Sequence, residues 1–245
     1  MYILMYILRK ILPFKLFVKY ISEHLLTNIT IGKYMETEPE KAIKKRTKVL
    51  AVGDIHGDTT LIKRLAEKAK KENVDLVILA GDLTFAEQST KNIIGPFIKA
   101  KKEVLILPGN HESMATIDFL TEMYPNTKNI HGYSFLKNDI GIFGAGTADI
   151  GIHQLKDSEM FELLRKGHER IKNVKKKIMV THMHPRGSKS EFSGFKGSKA
   201  IRRAVEEFHP DILINAHIHE AAGLEDKIGK TRIINVSRKE KIFEI

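Results

Sequence analysis

Five short polar clusters each follow directly on an apolar, β-branched run: "VGDIHGD" (52–58), "AGDL" (80–83), "PGNHE" (108–112), "THMHP" (181–185) and "NAHIHE" (215–220). Taken singly, each has an ordinary explanation as a cap, a turn or a satisfied core histidine. Taken together they place Asp54, His56, Asp82, Asn110, His111, His182, His217 and His219 at the ends of successive strands. In an open α/β sheet the loops at the carboxyl ends of the strands line one crevice, so these eight side chains should converge. A packing explanation would require five polar clusters buried with nothing to satisfy them. Two carboxylates, one amide oxygen and five imidazoles form a mixed oxygen and nitrogen set. It suits Mn²⁺, Fe or Zn²⁺ better than Ca²⁺ or Mg²⁺, which prefer oxygen shells. The clusters read as a metal site.

The elements that must position these residues are visible as alternation from residue 47 onward. "KVLAV", "VDLVILA", "EVLILP", "IGIFGA", "KKIMVTH" and "DILINA" are short apolar runs that suit buried strands. Helical patterns separate them: "TLIKRLAEKAKK" with Asp58 as its expected N-cap, "MATIDFLTEMY", "EMFELLRKGHERIK" and "SKAIRRAVEEF". A hairpin around "DKIGKTRIINV" and a last strand "KIFEI" follow. Strand–helix alternation implies a largely parallel, buried sheet with helices on its faces.

The first 46 residues differ from the rest. "MYILMYILRKILPFKLFVKYISEHLL" is apolar but broken by Arg9, Lys10, Lys15 and Lys19, far short of the roughly 20 uncharged residues a spanning helix needs. No signal-peptide pattern is present. A helix starting near Pro13 would carry a polar stripe of Lys15, Lys19 and Glu23. Residues 1–26 can pack on the protein's own domain or on a second copy, the favoured reading, or lie on a membrane surface. "MYIL" occurs twice in tandem, and Met35 offers another translation start. The expected division is therefore an extension and linker over 1–46 and a catalytic domain over 47–245. With no cysteine there is neither a disulfide framework nor a thiolate site, which points to the cytoplasm. The net charge of +11 favours polyanionic partners. Among these, nucleic acid ranks below a small nucleotide, because tryptophan is absent and the basic residues are dispersed. The oligomeric state is left open.

The five clusters resemble the signature blocks of the calcineurin-like metallophosphoesterases: Asp54-x-His56, Gly81-Asp82, Gly109-Asn110-His111-Glu112, Thr181-His182 and His217-x-His219. "THMHPRG", "GSKAIRR" and "HIHEAAG" are similar to segments of a compact branch of predicted phosphoesterases related to cyclic-nucleotide phosphodiesterases. The resemblance implies an α/β/β/α sandwich of two mixed sheets flanked by helices, here with an N-terminal helical extension. It implies two divalent ions, Mn²⁺ foremost, with Fe or Zn²⁺ as alternatives. Asp54, His56 and His219 would hold the first, Asn110, His182 and His217 the second, and Asp82 would bridge them. The implied reaction is in-line attack on a phosphoester, a diester ahead of a monoester, by a hydroxide bridging the ions. His111 would act as general acid or phosphoryl stabiliser. A catalytically silent scaffold of the same fold is the alternative, though such proteins usually lose His111 or ligands that are retained here.

Two departures from the pattern concern the last block. Ala216 stands where the family usually has glycine, which should alter the turn slightly while the ligands survive. "INVS" (234–237) replaces a common Asn-Pro-Gly. His184 and Arg186 are the candidate substrate contacts, and the loop "PRGSKSEFSGFKGSK", with Lys189 and Lys196, could clamp a phosphate. His24, His131, His153, His168 and His209 carry no expected chemistry.

Overall fold

The computed structural model describes residues 46–245, together with 13, 15, 16 and 19. The chain divides into two units, Met1–Lys45 and Arg46–Ile245. In the first, residues 15, 16 and 19 are helical and exposed. The rest of the expected N-terminal helix, with Glu23, His24, Met35 and the linker, lies outside the described residues. No helix among the described residues is long and apolar enough to cross a membrane.

The second unit holds two mixed sheets. In the first, β1 (Lys48–Val52), β2 (Leu76–Ala80), β3 (Glu103–Leu107) and β4 (Thr127–Asn129) run parallel, and β11 (Lys241–Glu244) pairs antiparallel with β1. The second has the order β5–β6–β7–β8–β10–β9, built from Ser134–Lys137, Ile140–Ala145, Lys176–Thr181, Ile212–Asn215, Thr231–Asn235 and Glu225–Ile228. Its edge strands β5 and β9 are antiparallel to their neighbours, and the four strands between them are parallel.

Strand alternation sorts the apolar residues into three cores. Val49, Ala51, Ile78 and Leu105 face Ile142, Ile178, Val180 and Ile214 between the sheets. Leu50, Val52, Val77 and Ile106 turn the other way, onto α1 (Thr59–Lys71), α2 (Gly95–Lys99) and α3 (Met114–Met123). Phe143, Met179, Leu213 and Ile233 pack on α4 (Asp157–Glu169) and α5 (Lys199–Phe208). The expected α/β/β/α sandwich is the observed one. Asp58 caps α1, accepting from the backbone of Thr60 at 3.1 Å and Leu61 at 2.9 Å. Two strands had no sequence signal. β4 ("TKN") and β5 ("SFLK") lack an apolar run, and pairing with β3 and β6 supplies their order instead.

Candidate metal centre

All five clusters sit where β1, β2, β3, β7 and β8 end, and they meet across the gap between the two sheets. The Nε2 atoms of His56 and His219 are 3.3 Å apart, and His219 Nε2 is 3.5 Å from Asp54 Oδ1. On the other side His182 Nε2 lies 3.1 Å from Asn110 Oδ1, 3.3 Å from His217 Nδ1 and 3.4 Å from Asp82 Oδ2. Asp82 Oδ2 also lies 3.7 Å from His56 Nε2 and 3.8 Å from His111 Nε2. Two sets with donor atoms close enough to share a cation are therefore Asp54/His56/His219 and Asp82/His182/His217. A third, His56/Asp82/His111, overlaps the first.

The chemistry of the donors fits a metal. Asp54 Oδ1 is buried and accepts no hydrogen bond, although its other oxygen takes the His217 backbone N–H at 2.9 Å. Imidazole nitrogens facing one another at 3.3 Å cannot all be donors, and lone pairs directed to one point need a cation or a proton between them. His182 is oriented from behind: its Nδ1 lies 2.9 Å from the Ala80 carbonyl, so Nδ1–H donates there and Nε2 turns to the cluster.

Electrostatics follow the crowding. Burial alone would raise the Asp82 carboxyl, but His182, His111 and His56 outweigh it and hold the group below the usual carboxylate range. His182 shows the reverse balance: burial opposes its charge, yet Asp82 and Asp54 push it up to about 9. His217, half-buried and next to His182, falls to about 4 through partial desolvation and that neighbour.

The backbone is bent to make this arrangement. Asp54, His56, Asp82 and His217 all have left-handed φ, at 52°, 48°, 49° and 71°. Non-glycine residues adopt that region at a cost and gather at functional sites. Gly109 permits the closest approach, since a Cβ there would fall 1.9 Å from Asp82 Oδ1. Beneath the ligands, the buried Glu112 carboxylate accepts from the Thr84 backbone and hydroxyl, both at 2.8 Å, and from the Gly109 backbone at 2.9 Å. Burial, with Asp82 nearby, raises its pKa. Glu112 was legible as part of "GNHE", but its bracing role was not.

The turn at Ala216 differs from expectation in where the bend falls. Ala216 is fully buried and does not have left-handed φ; His217 carries the bend instead. The extra methyl is accommodated opposite Gly53, where an added Cβ would lie 2.5 Å from the Ala216 Cβ. "INVS" closes the same corner. Val236 accepts from Gly53 N–H at 2.9 Å, and Asn235 Oδ1 accepts from Ser237 N–H at 2.9 Å.

The two expected substrate contacts, His184 and Arg186, are not in the lining of the cleft over the cluster. His184 is fully buried, with no protein partner for either ring nitrogen. Arg186 lies 3.5 Å from Glu191. That cleft, of about 430 Å³, is walled by the histidines and by Phe85 and Arg238. Sequence reasoning passed over both: Phe85 follows "GDL" by one residue and Arg238 follows "INVS", so proximity to the signature blocks was the signal available. Lys189 is tethered through its backbone N–H to Asp226 at 2.8 Å, and Glu191 accepts from Gly197 N–H at 2.9 Å. The basic loop is thus an ordered turn, with a short 3₁₀ segment at Lys189–Ser193.

A two-sheet sandwich with an Asp/His centre between the strand ends defines a metal-dependent phosphoesterase. Residues 47–221 match the calcineurin-like phosphoesterase family, and the chain belongs to it. No curated protein matches the chain in sequence. Among solved structures the fold is shared with TT1561 of Thermus thermophilus, at a TM-score of 0.65 and 15% identity over 82% of this chain and 99% of that one. A dimetal phosphatase from Danio rerio superposes at 0.56 with 10% identity, covering 77% and 86% of the two chains. A phosphatase from Mycoplasma pneumoniae gives 0.53 and 17%, over 80% and 73%.

Proposed function

We propose that the protein is a dinuclear-metal phosphodiesterase. The carrying observation is the convergence of ligand-type atoms, with Asp54 Oδ1 buried without a hydrogen bond and two histidine pairs each 3.3 Å apart. Asp54, His56 and His219 would hold one ion, Asn110, His182 and His217 the other, and Asp82 both. Bound there, the ions would supply Lewis-acid charge at phosphorus and a nucleophile from water at neutral pH. The mixed imidazole and oxygen set suits Mn²⁺, Fe or Zn²⁺, and the family resemblance puts Mn²⁺ first among them.

The remaining work falls to the protein's side chains. His111 Nδ1 accepts the Ala86 backbone N–H at 3.1 Å, so in the neutral ring the hydrogen sits on Nε2, the atom facing Asp82. That hydrogen is placed to bond an oxygen of the phosphoryl group as negative charge grows. Of the two roles expected for His111, this geometry favours stabiliser over proton donor, since an imidazolium would set Nδ1–H against the Ala86 N–H. Arg238, at the rim, offers a positive group to the substrate beside the neutral His111.

The test is hydrolysis of bis-p-nitrophenyl phosphate by the metal-stripped protein, with and without added Mn²⁺. Turnover should require metal. Asp82→Asn should weaken metal binding beyond the ~10–100-fold seen when only a supporting residue is lost. His111→Ala should lower kcat by roughly 10²–10³ with metal content unchanged. Metal binding by the wild type without turnover of any phosphoester would instead support the silent scaffold.

A further inference from the structure

The centre is flanked by apolar side chains that its chemistry does not require. Phe85 is 54% exposed, and its ring centroid lies 5.4 Å from that of His111 and 6.1 Å from that of His56. A separate hollow of about 200 Å³, lined by Ile150, Phe195, Ile218 and Glu220, shares only His217 and His219 with the main cleft. Ile150 and Phe195 are 44% and 53% exposed. Exposed apolar side chains grouped around a polar site mark a surface that binds something.

Both walls are fixed to the centre. Phe85 precedes Ala86 and Glu87, which have left-handed φ of 48° and 60°. Ala86 is held by His111, and Glu87 accepts from Ser113 N–H at 2.7 Å and its hydroxyl at 2.6 Å. On the other side Gly151 packs so closely on Asn110 that a Cβ would fall 2.5 Å from Nδ2, and His153 N–H donates to the Asn110 carbonyl at 3.1 Å. The loop carrying Ile150 therefore rests on an expected ligand.

A phosphomonoester has one carbon arm, and a diester has two. Resting on the diester reading above, we infer that Phe85 receives one arm and the Ile150–Phe195 hollow the other, so that the preferred substrate carries an aromatic or apolar group on each side of phosphorus. The walls then select the substrate, and the metal centre supplies the chemistry.

Three substrates with a common leaving group isolate this effect: phenyl p-nitrophenyl phosphate, methyl p-nitrophenyl phosphate and p-nitrophenyl phosphate, assayed with Mn²⁺. Seating a second ring should raise kcat/KM for the phenyl over the methyl diester by about tenfold. Of Phe85→Ala and Phe195→Ala, one should collapse that ratio and the other should lower both diesters alike, because it holds the shared p-nitrophenyl arm. Both positions are exposed, so the folds should survive, as thermal melting would show. Diester turnover with a wild-type ratio near one, or a ratio that survives both variants within about a factor of two, overturns the inference alone. Turnover of the monoester only overturns the diester reading with it. No turnover of any of the three overturns the phosphoesterase reading as well.

Discussion

The two sheets contribute unlike things to the centre. The first supplies every candidate oxygen ligand, Asp54, Asp82 and Asn110, along with His56 and His111. The second supplies only imidazoles, His182, His217 and His219. Their support differs too. The loops of the first sheet brace one another: Asp54 N–H donates to Gly81, His56 N–H to Asp82 and Gly57 N–H to Leu83, at 2.9–3.0 Å, while Glu112 ties Thr84 to Gly109. The β8 loop of the second sheet is braced by β7 and by the first sheet. Ala216 N–H reaches His182, His217 N–H reaches Asp54, and Ala216 itself packs opposite Gly53. The first half is a frame braced largely within itself, with the Val236 corner holding Gly53, and the second is docked onto it.

Breaking the frame should cost most. Glu112→Ala leaves the Thr84 and Gly109 N–H groups buried without an acceptor, at about 1–3 kcal/mol each. Urea unfolding should show a loss of roughly 3 kcal/mol or more, and Glu112→Gln should recover part of it. A loss below 1 kcal/mol would mean the first sheet's loops do not depend on this carboxylate.

Disturbing the dock should cost less and be reversible. Gly53→Ala drives a methyl against Ala216, an overpacking penalty of about 1–3 kcal/mol. Adding Ala216→Gly should return most of it, a coupling that a double-mutant cycle measures. Additive effects would show that the two halves do not meet at this contact.

The smallest effect tests a second joint between the sheets, on the β4–β6 side. His131 Nδ1 accepts from Gly146 N–H at 2.9 Å, and its residue bridges to Gly144. Burial lowers its pKa from 6.5 to about 4. Its folded pKa is thus below the unfolded value, so its contribution is complete above pH 6.5 and is lost as pH falls from there toward 4. Allowing for partial exposure, the wild type should lose on the order of 1–2 kcal/mol across that window. His131→Asn, which keeps an acceptor but cannot titrate, should lose less. Parallel pH profiles for the two proteins would remove His131 from the joint.

The same contrast explains what could be read in the sequence. Each cluster follows its own strand, so "KVLAV" before Asp54 and "DILI" before His217 were enough to bring them to one edge. The frame was partly visible, because Glu112 belongs to a signature block. The dock was not. Gly53 and Ala216 meet through chain segments with no periodicity in common, and only packing reveals that one lacks a Cβ where the other has one. β4 and β5 escaped for a related reason, since their order comes from neighbours and not from their own residues. Phe85, Ile150 and Phe195 looked like ordinary apolar residues until their exposure beside the histidines was known.

The pairing of β11 with β1, and of Ser237 with Gly53, has a consequence for how the protein folds. Asp54, His56, Asp82 and Asn110 all precede, by much of the domain's length, the residues that close the corner behind Gly53. Contacts this distant along the chain form slowly. The corner behind the candidate ligands of the first sheet therefore closes only once the chain as far as Ser237 can pair with Gly53.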